Sequence, residues 1–248
     1  MLSSLESNAR QGKTIKPKIL VLEIRDKKLP AEKPIAWLIV ERTETYETYQ
    51  NGEVGKASIC LSYRQIFPFV SNSFEGKGEF TGCYSKGFNL VSLTAASLTS
   101  GFVTLDLPNL EGQRIGTYLM NEIVQWVQQW PEAIVGTIEL LPEQATPDNK
   151  IRRNRFYEQF NLKFEYIDNK RSGKSLPIKT SELTTVENWK ENITEHHLLD
   201  YLADVLLSKQ RALSDLEQRD YACKNLVNKI QLMEARPIIW ALKKCLNA

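Results

Sequence analysis

The chain has 248 residues, with 32 Lys and Arg against 30 Asp and Glu, for a formal net charge of +2. That near balance argues against a nucleic-acid coat or a polybasic membrane binder, and a composition of 42% hydrophobic and 25% charged residues belongs to a folded chain, not a disordered one. No apolar run approaches the roughly 20 residues of a membrane span. The polar stretch Met1 to Lys18 lacks the apolar segment of a secretory signal, so a cytoplasmic protein with no membrane element is expected.

Met1 to Lys16 reads as a flexible arm. Two strand-like runs follow, Ile19 to Ile24 and Ile35 to Val40, separated by a charged loop with Pro30 and Pro34. Glu41 to Lys56 is polar, and its Asn51-Gly52 pair is a strong turn signal. Ala57 to Tyr63 suits a strand, Ser71 to Gly87 is Gly- and Ser-rich and suits a surface loop, and Asn89 to Leu93 and Phe102 to Leu107 suit strands. Ile115, Leu119, Ile123, Val124, Trp126 and Val127 recur at three-to-four spacing, which predicts an amphipathic helix over Gly112 to Trp130, stopped by Pro131. Val135 to Leu141 is a predicted strand, Pro147-Asp148 opens a helix running through Phe160, and Leu162 to Ile167 is one more strand. The order predicts a mixed sheet with helices packed on its faces.

Asp168 to Thr180 is a polar, basic connector. Beyond it the chain reads as helical throughout: Glu195 to Ala235 holds no Gly or Pro. Leu198, Leu202, Val205, Ala212, Leu216, Cys223, Leu226, Ile230 and Met233 form a heptad-like ladder that Lys209 and Arg219 interrupt, which predicts two or three packed helices. Trp189 and Trp240 are expected packing anchors, and His196 and His197 helix-surface residues. Cys60, Cys83, Cys223 and Cys245 form no C-x-x-C pair and have no histidine at ligand spacing, so no metal site and reduced thiols are expected.

Chemistry concentrates in two places. Leu105 to Leu119 is a strand, a short glycine-containing loop and a helix start, a layout that offers backbone N–H groups and the positive end of a helix dipole to phosphate. The second is Asn154-Arg155-Phe156-Tyr157-Glu158-Gln159-Phe160-Asn161-Leu162-Lys163-Phe164. Together, in this order and with a strand between them, they resemble the GNAT-type N-acetyltransferase family. That family carries a pyrophosphate loop, Q/R-x-x-G-x-G/A, and later a helix reading close to F-Y-E-K-x-G-F. The resemblance covers Leu105 to Phe164 well and the earlier strands loosely, about residues 17 to 168 in all.

Two registers fit the loop. One puts Glu111 where Gln or Arg is usual, Arg114 in place of the first glycine and Gly116-Thr117 at the end. The other pairs Gln113 with Gly116 and leaves Tyr118 at the final small position. In the second motif Asn161 replaces glycine, a mild change because Asn tolerates left-handed backbone.

The resemblance implies an α+β fold over residues 17–168, a mostly antiparallel mixed sheet flanked by helices; composition and periodicity add a linker (169–181) and an all-helical C-terminal extension (182–248), in which no family resemblance is found. It implies acyl transfer from acetyl-CoA or CoA-bound acyl groups to an amine by direct attack. Tyr157 would be the proton donor to the leaving thiolate, and Leu105, Leu107, Gly112, Gln113, Arg114, Gly116, Thr117 and Asn154 would contact the cofactor. Asp106 and Glu139 are the candidate general bases. The alternative is a non-catalytic protein on the same fold, used for protein interaction or ligand sensing; Glu111 and Arg114 in the loop favour it. Asn149 to Lys179 holds nine Lys and Arg against three Asp and Glu, and Lys150, Arg152, Arg153 and Arg155 cluster on one helix, where they could meet CoA phosphates. The C-terminal helices could make a homo-oligomer or a contact with another protein. No nucleic-acid partner is expected, since no aromatic-basic motif is present.

Overall fold

The computed structural model describes residues 11–68, 76–98, 103 and 105–246. The first body runs to His197 and the second from Leu198 onward. The first body is α+β. Among the described residues its main sheet has eight strands: β1 (Gln11–Thr14), β2 (Lys18–Ile24), β3 (Ala36–Thr48), β4 (Val54–Phe67), β5 (Lys77–Ser85), β6 (Leu90–Ser92), β7 (Ile134–Val135) and β11 (Ile193–His197). The order is β11-β2-β3-β4-β5-β6-β7, with β1 added beside the far half of β3. All neighbours are antiparallel except β6 and β7. A second, antiparallel sheet of three short strands has the order β8 (Glu139–Leu140), β10 (Ser172–Ser175), β9 (Phe164–Ile167).

Alternation sets the faces. In β4, Ala57, Ile59, Leu61 and Tyr63 are buried while Lys56 and Arg64 are exposed, the period-2 pattern of a half-buried strand. The buried row faces helix α1 (Ile115–Val127), which lies on β4 and β5. From α1, Ile115, Leu119, Ile123, Val124 and Val127 are all at most 1% exposed. Gly82 of β5 lets the helix approach, since a Cβ there would stand 2.9 Å from Ile123 Cγ2. The β3–β4 hairpin turns at Asn51-Gly52: Gly52 has φ +81°, and the Asn51 side chain bonds both the amide and the carboxylate of Glu53.

Several sequence expectations change. Residues 11–14 of the expected arm form β1; residues 1–10 lie outside the described residues. The expected loop over Ser71 to Gly87 contains β5, because its glycines sit where Tyr63 and Ile123 crowd the strand. The strand expected over Phe102 to Leu107 is not formed at 105–107; residues 102 and 104 lie outside the described set. The strand Val135 to Leu141 is two short strands in different sheets. The expected linker contains β10, and the segment expected to be helical from residue 182 contains β11, which puts His196 and His197 on a strand paired with Val21 and Leu20. Trp189 is 6% exposed, as an anchor should be.

The second body holds α3 (Leu198–Ala235) and α4 (Pro237–Leu246). The two or three packed helices expected here are one 38-residue helix and a short one. Lys209 and Arg219 break the apolar pattern but not the backbone, since both are good helix formers. Among the described residues, no helix is long and apolar enough to cross a membrane.

Candidate functional site

Helix α1 is the crossover between the parallel strands β6 and β7, and the loop before it is the place to look for a ligand. Leu107 and Leu110 are buried, at 2% and 4% exposed, and half-buried Val103 and Leu105 pack on the same core. The side chains of Leu105 and Leu107 therefore serve the core. Two turns follow, Leu110 N–H to Leu107 O at 3.2 Å and Gln113 N–H to Leu110 O at 3.2 Å. Asn109, Gly112 and Arg114 all take left-handed backbone, with φ 64°, 77° and 65°.

Of the two registers, the one that sets Arg114 in place of a glycine puts it in the conformation glycine favours. The other sets Tyr118 at a small position, where its ring is 1% exposed, packs edge-on against Trp189 at 4.9 Å and donates its hydroxyl to Glu195 at 2.7 Å. Left-handed backbone costs a residue with a Cβ about 1–2 kcal/mol. Arg114 offsets that with its guanidinium, whose Nη1 donates to Asn188 O at 2.7 Å, the Glu191 carboxylate at 2.7 Å and Asn192 Oδ1 at 3.3 Å. Asn192, 2% exposed, in turn donates its amide to Arg25 O and Gln113 O, both at 3.1 Å. The expected cofactor residues Gln113 and Arg114 are thus also the clasp that ties the loop to β2 and to the 188–192 turn.

Gly116 and Thr117 join the loop to the second motif, which lies on α2 (Lys150–Glu158). A Cβ on Gly116 would stand 3.4 Å from Phe156 Cε2, and Thr117 Oγ1 accepts from Gln159 Nε2 at 3.1 Å. The two stretches singled out from the sequence are in contact. Tyr157 is 5% exposed, 4.9 Å from the Phe156 ring and 5.8 Å from Phe164. Burial pushes its phenol up to about 12, opposed by Arg153 and by a hydrogen bond from the backbone of Val103. It is therefore a neutral O–H at any physiological pH.

Asn154 is committed elsewhere. Its Oδ1 accepts from Arg153 Nε and Nη2 at 3.1 and 3.0 Å, and its Nδ2 donates to Lys170 O at 3.1 Å. Arg153 is 8% exposed and also donates to Leu141 O and Arg171 O. Its role is to tie α2 to the small sheet, which removes it from the expected phosphate-facing cluster; burial lowers its pKa. Arg152 and Arg155 are exposed on the same helix. Of the candidate bases, Glu139 is exposed and ion-paired with Lys174 at 2.7 Å, and Asp106 is exposed.

Sequence reasoning missed Lys27. Its backbone N–H donates to Gln113 Oε1 at 2.9 Å, and its Nζ would stand 3.3 Å from a Cβ on Gly112. The fold brings this cation to Gly112 in the loop before α1 from the far side of β3 to β6 in the chain, so no local spacing signals it. A cavity of about 340 Å³ lies elsewhere, lined by Thr45, Lys56, Ser58, Cys83, Tyr84 and Phe88 among others, and includes none of the expected site residues. No protein-family model, curated protein or solved structure matches the chain.

Proposed function

We propose that the chain binds acyl-CoA at the loop before α1 and transfers the acyl group to an amine, on the plan of the GNAT-type N-acetyltransferases. The observation that carries this reading is the backbone of Arg114: a non-glycine residue held left-handed at the position where the family pattern has glycine. The first-turn N–H groups of α1 have no partner four residues earlier within the helix, and with the Lys27 ammonium beside Gly112 of the preceding loop they suit a pyrophosphate. The neutral amine nitrogen attacks the thioester carbonyl, the carbon–sulfur bond breaks, the departing thiolate takes a proton from the Tyr157 hydroxyl, and the proton that the amine nitrogen sheds returns through solvent to the Tyr157 oxygen, restoring the hydroxyl. The Val103 hydrogen bond reaches the phenol oxygen and leaves its proton to donate. The backbone of Val103 and Leu105, whose side chains pack on the core, would line the path of the pantetheine arm.

A second reading, a non-catalytic protein on the same plan, is favoured by the committed side chains. Arg114 and Asn154 have protein partners throughout. Calorimetric titration with CoA and acetyl-CoA separates the two readings. Saturable binding, weakened by Lys27→Ala and kept by Tyr157→Phe, supports the site, and acyl transfer lost in Tyr157→Phe supports the donor role. Absence of binding at millimolar ligand leaves the second reading.

A further inference from the structure

Helix α3 buries none of its side chains, yet it carries Leu202, Leu206, Leu213, Leu216, Leu226, Val227 and Ile230, each exposed, with Leu206 at 64%. A helix with so much apolar surface in water needs a partner. The alternating three- and four-residue steps Leu199, Leu202, Leu206, Lys209, Leu213, Leu216, Asp220, Cys223, Val227 and Ile230 form one a/d seam. Only two of its ten positions are charged, one positive and one negative, and they sit symmetrically about the point between residues 214 and 215.

We propose that α3 pairs with α3 of a second copy of the chain as an antiparallel coiled coil centred between residues 214 and 215. In that register the layers are Leu199 with Ile230, Leu202 with Val227, Leu206 with Cys223, Lys209 with Asp220 and Leu213 with Leu216, each occurring twice by the two-fold axis. Every apolar seam residue meets an apolar one, and the two charged residues meet each other. The flank fits too, with Leu198 beside Met233 and Val205 beside Leu226, while the stem of Arg219 covers Ala212. A parallel, in-register pair would set Lys209 against Lys209 and Asp220 against Asp220 inside the seam, which is strongly disfavoured. The overlap of residues 199 to 230 runs for about 48 Å at 1.5 Å per residue. The pairing needs no ligand, so it is independent of the proposed acyl-CoA site.

Sedimentation of the full chain tests this, with circular dichroism confirming that each variant keeps its helix. A dimer is expected. Lys209→Asp, which sets Asp against Asp220 at both layers, should weaken self-association by at least about tenfold, and Lys209→Asp with Asp220→Lys should restore it. Under mild oxidation Leu206→Cys should yield a covalent dimer whose joined peptides contain residues 206 and 223. A monomer at every concentration, a charge swap that fails to rescue, or a crosslink joining Cys223 to Cys223 without one through residue 206 would each overturn the proposal.

Discussion

Arg114 spends backbone energy and recovers it through its side chain, and the two effects can be separated. Arg114→Gly and Arg114→Ala lose the same hydrogen bonds to Asn188, Glu191 and Asn192. Only alanine keeps a Cβ at φ 65°. Arg114→Gly should therefore unfold at higher denaturant than Arg114→Ala, by about 1 kcal/mol, despite the greater entropy of an unfolded glycine. Equal stabilities would show that the left-handed turn is not maintained in solution. Tyr157 makes a pH prediction. Its folded pKa lies above the ordinary tyrosine value, so its contribution is fully present below about pH 10 and is lost as pH rises through about 12. Urea midpoints at about pH 9 and about pH 11 should drop less in Tyr157→Phe than in the parent chain. At this scale the sequence was partly legible. Asn161 takes φ 67° as its residue type allows, but Lys27 and the Arg114 clasp join residues about 80 apart, and no local pattern carries that information.

Elements with strong periodicity were readable, and those defined by pairing alone were not. Strand β4 announces itself by alternation because one of its faces is buried, β2 by a nearly continuous apolar run because Leu20 to Ile24 are buried on both faces, and helix α1 by apolar residues at three-to-four spacing that pack into the core. Strand β5 was hidden by Gly78 and Gly82, which read as loop residues. Both glycines mark close approach inside a strand, and that was the signal to weigh. Tyr63 is 3% exposed and its ring carbon Cζ would lie 2.7 Å from a Cβ on Gly78, so the ring has nowhere to go. Gly82→Ala should cost about 1–3 kcal/mol by forcing α1 off the sheet. Because the new methyl meets Ile123 Cγ2 at 2.9 Å, the double variant with Ile123→Ala should cost less than the sum of the two single changes. Strict additivity in chemical denaturation would mean that helix and sheet do not touch there. Strands β10 and β11, Ser-Gly-Lys-Ser and Ile-Thr-Glu-His-His, are short and polar; they are strands because β9 and β2 offer edges.

For the whole molecule the question is where the first body ends. The sequence places a helical region from residue 182, whereas the last strand of the main sheet is Ile193–His197. Residues 182–197 do four things for that body. β11 covers the edge of β2 along five residue pairs, Trp189 packs on Tyr118, Ile193 is 2% exposed, and Asn192 with Glu191 closes the Arg114 clasp. Burying Trp189 and Ile193 alone is worth about 1.5–3 kcal/mol each. With the buried polar partners of Asn192 and a bared sheet edge, the loss approaches the roughly 5–15 kcal/mol that holds a typical domain together. A chain ending at His197 should therefore unfold in a single cooperative transition, and a chain ending at Ser181 should lack one and expose the β2 edge to aggregation. Calorimetry on the two truncations decides it: a cooperative transition in the shorter chain would show that 182–197 merely decorates the sheet. Its absence there and presence in the longer chain would place the boundary at the start of α3, where the apolar seam begins.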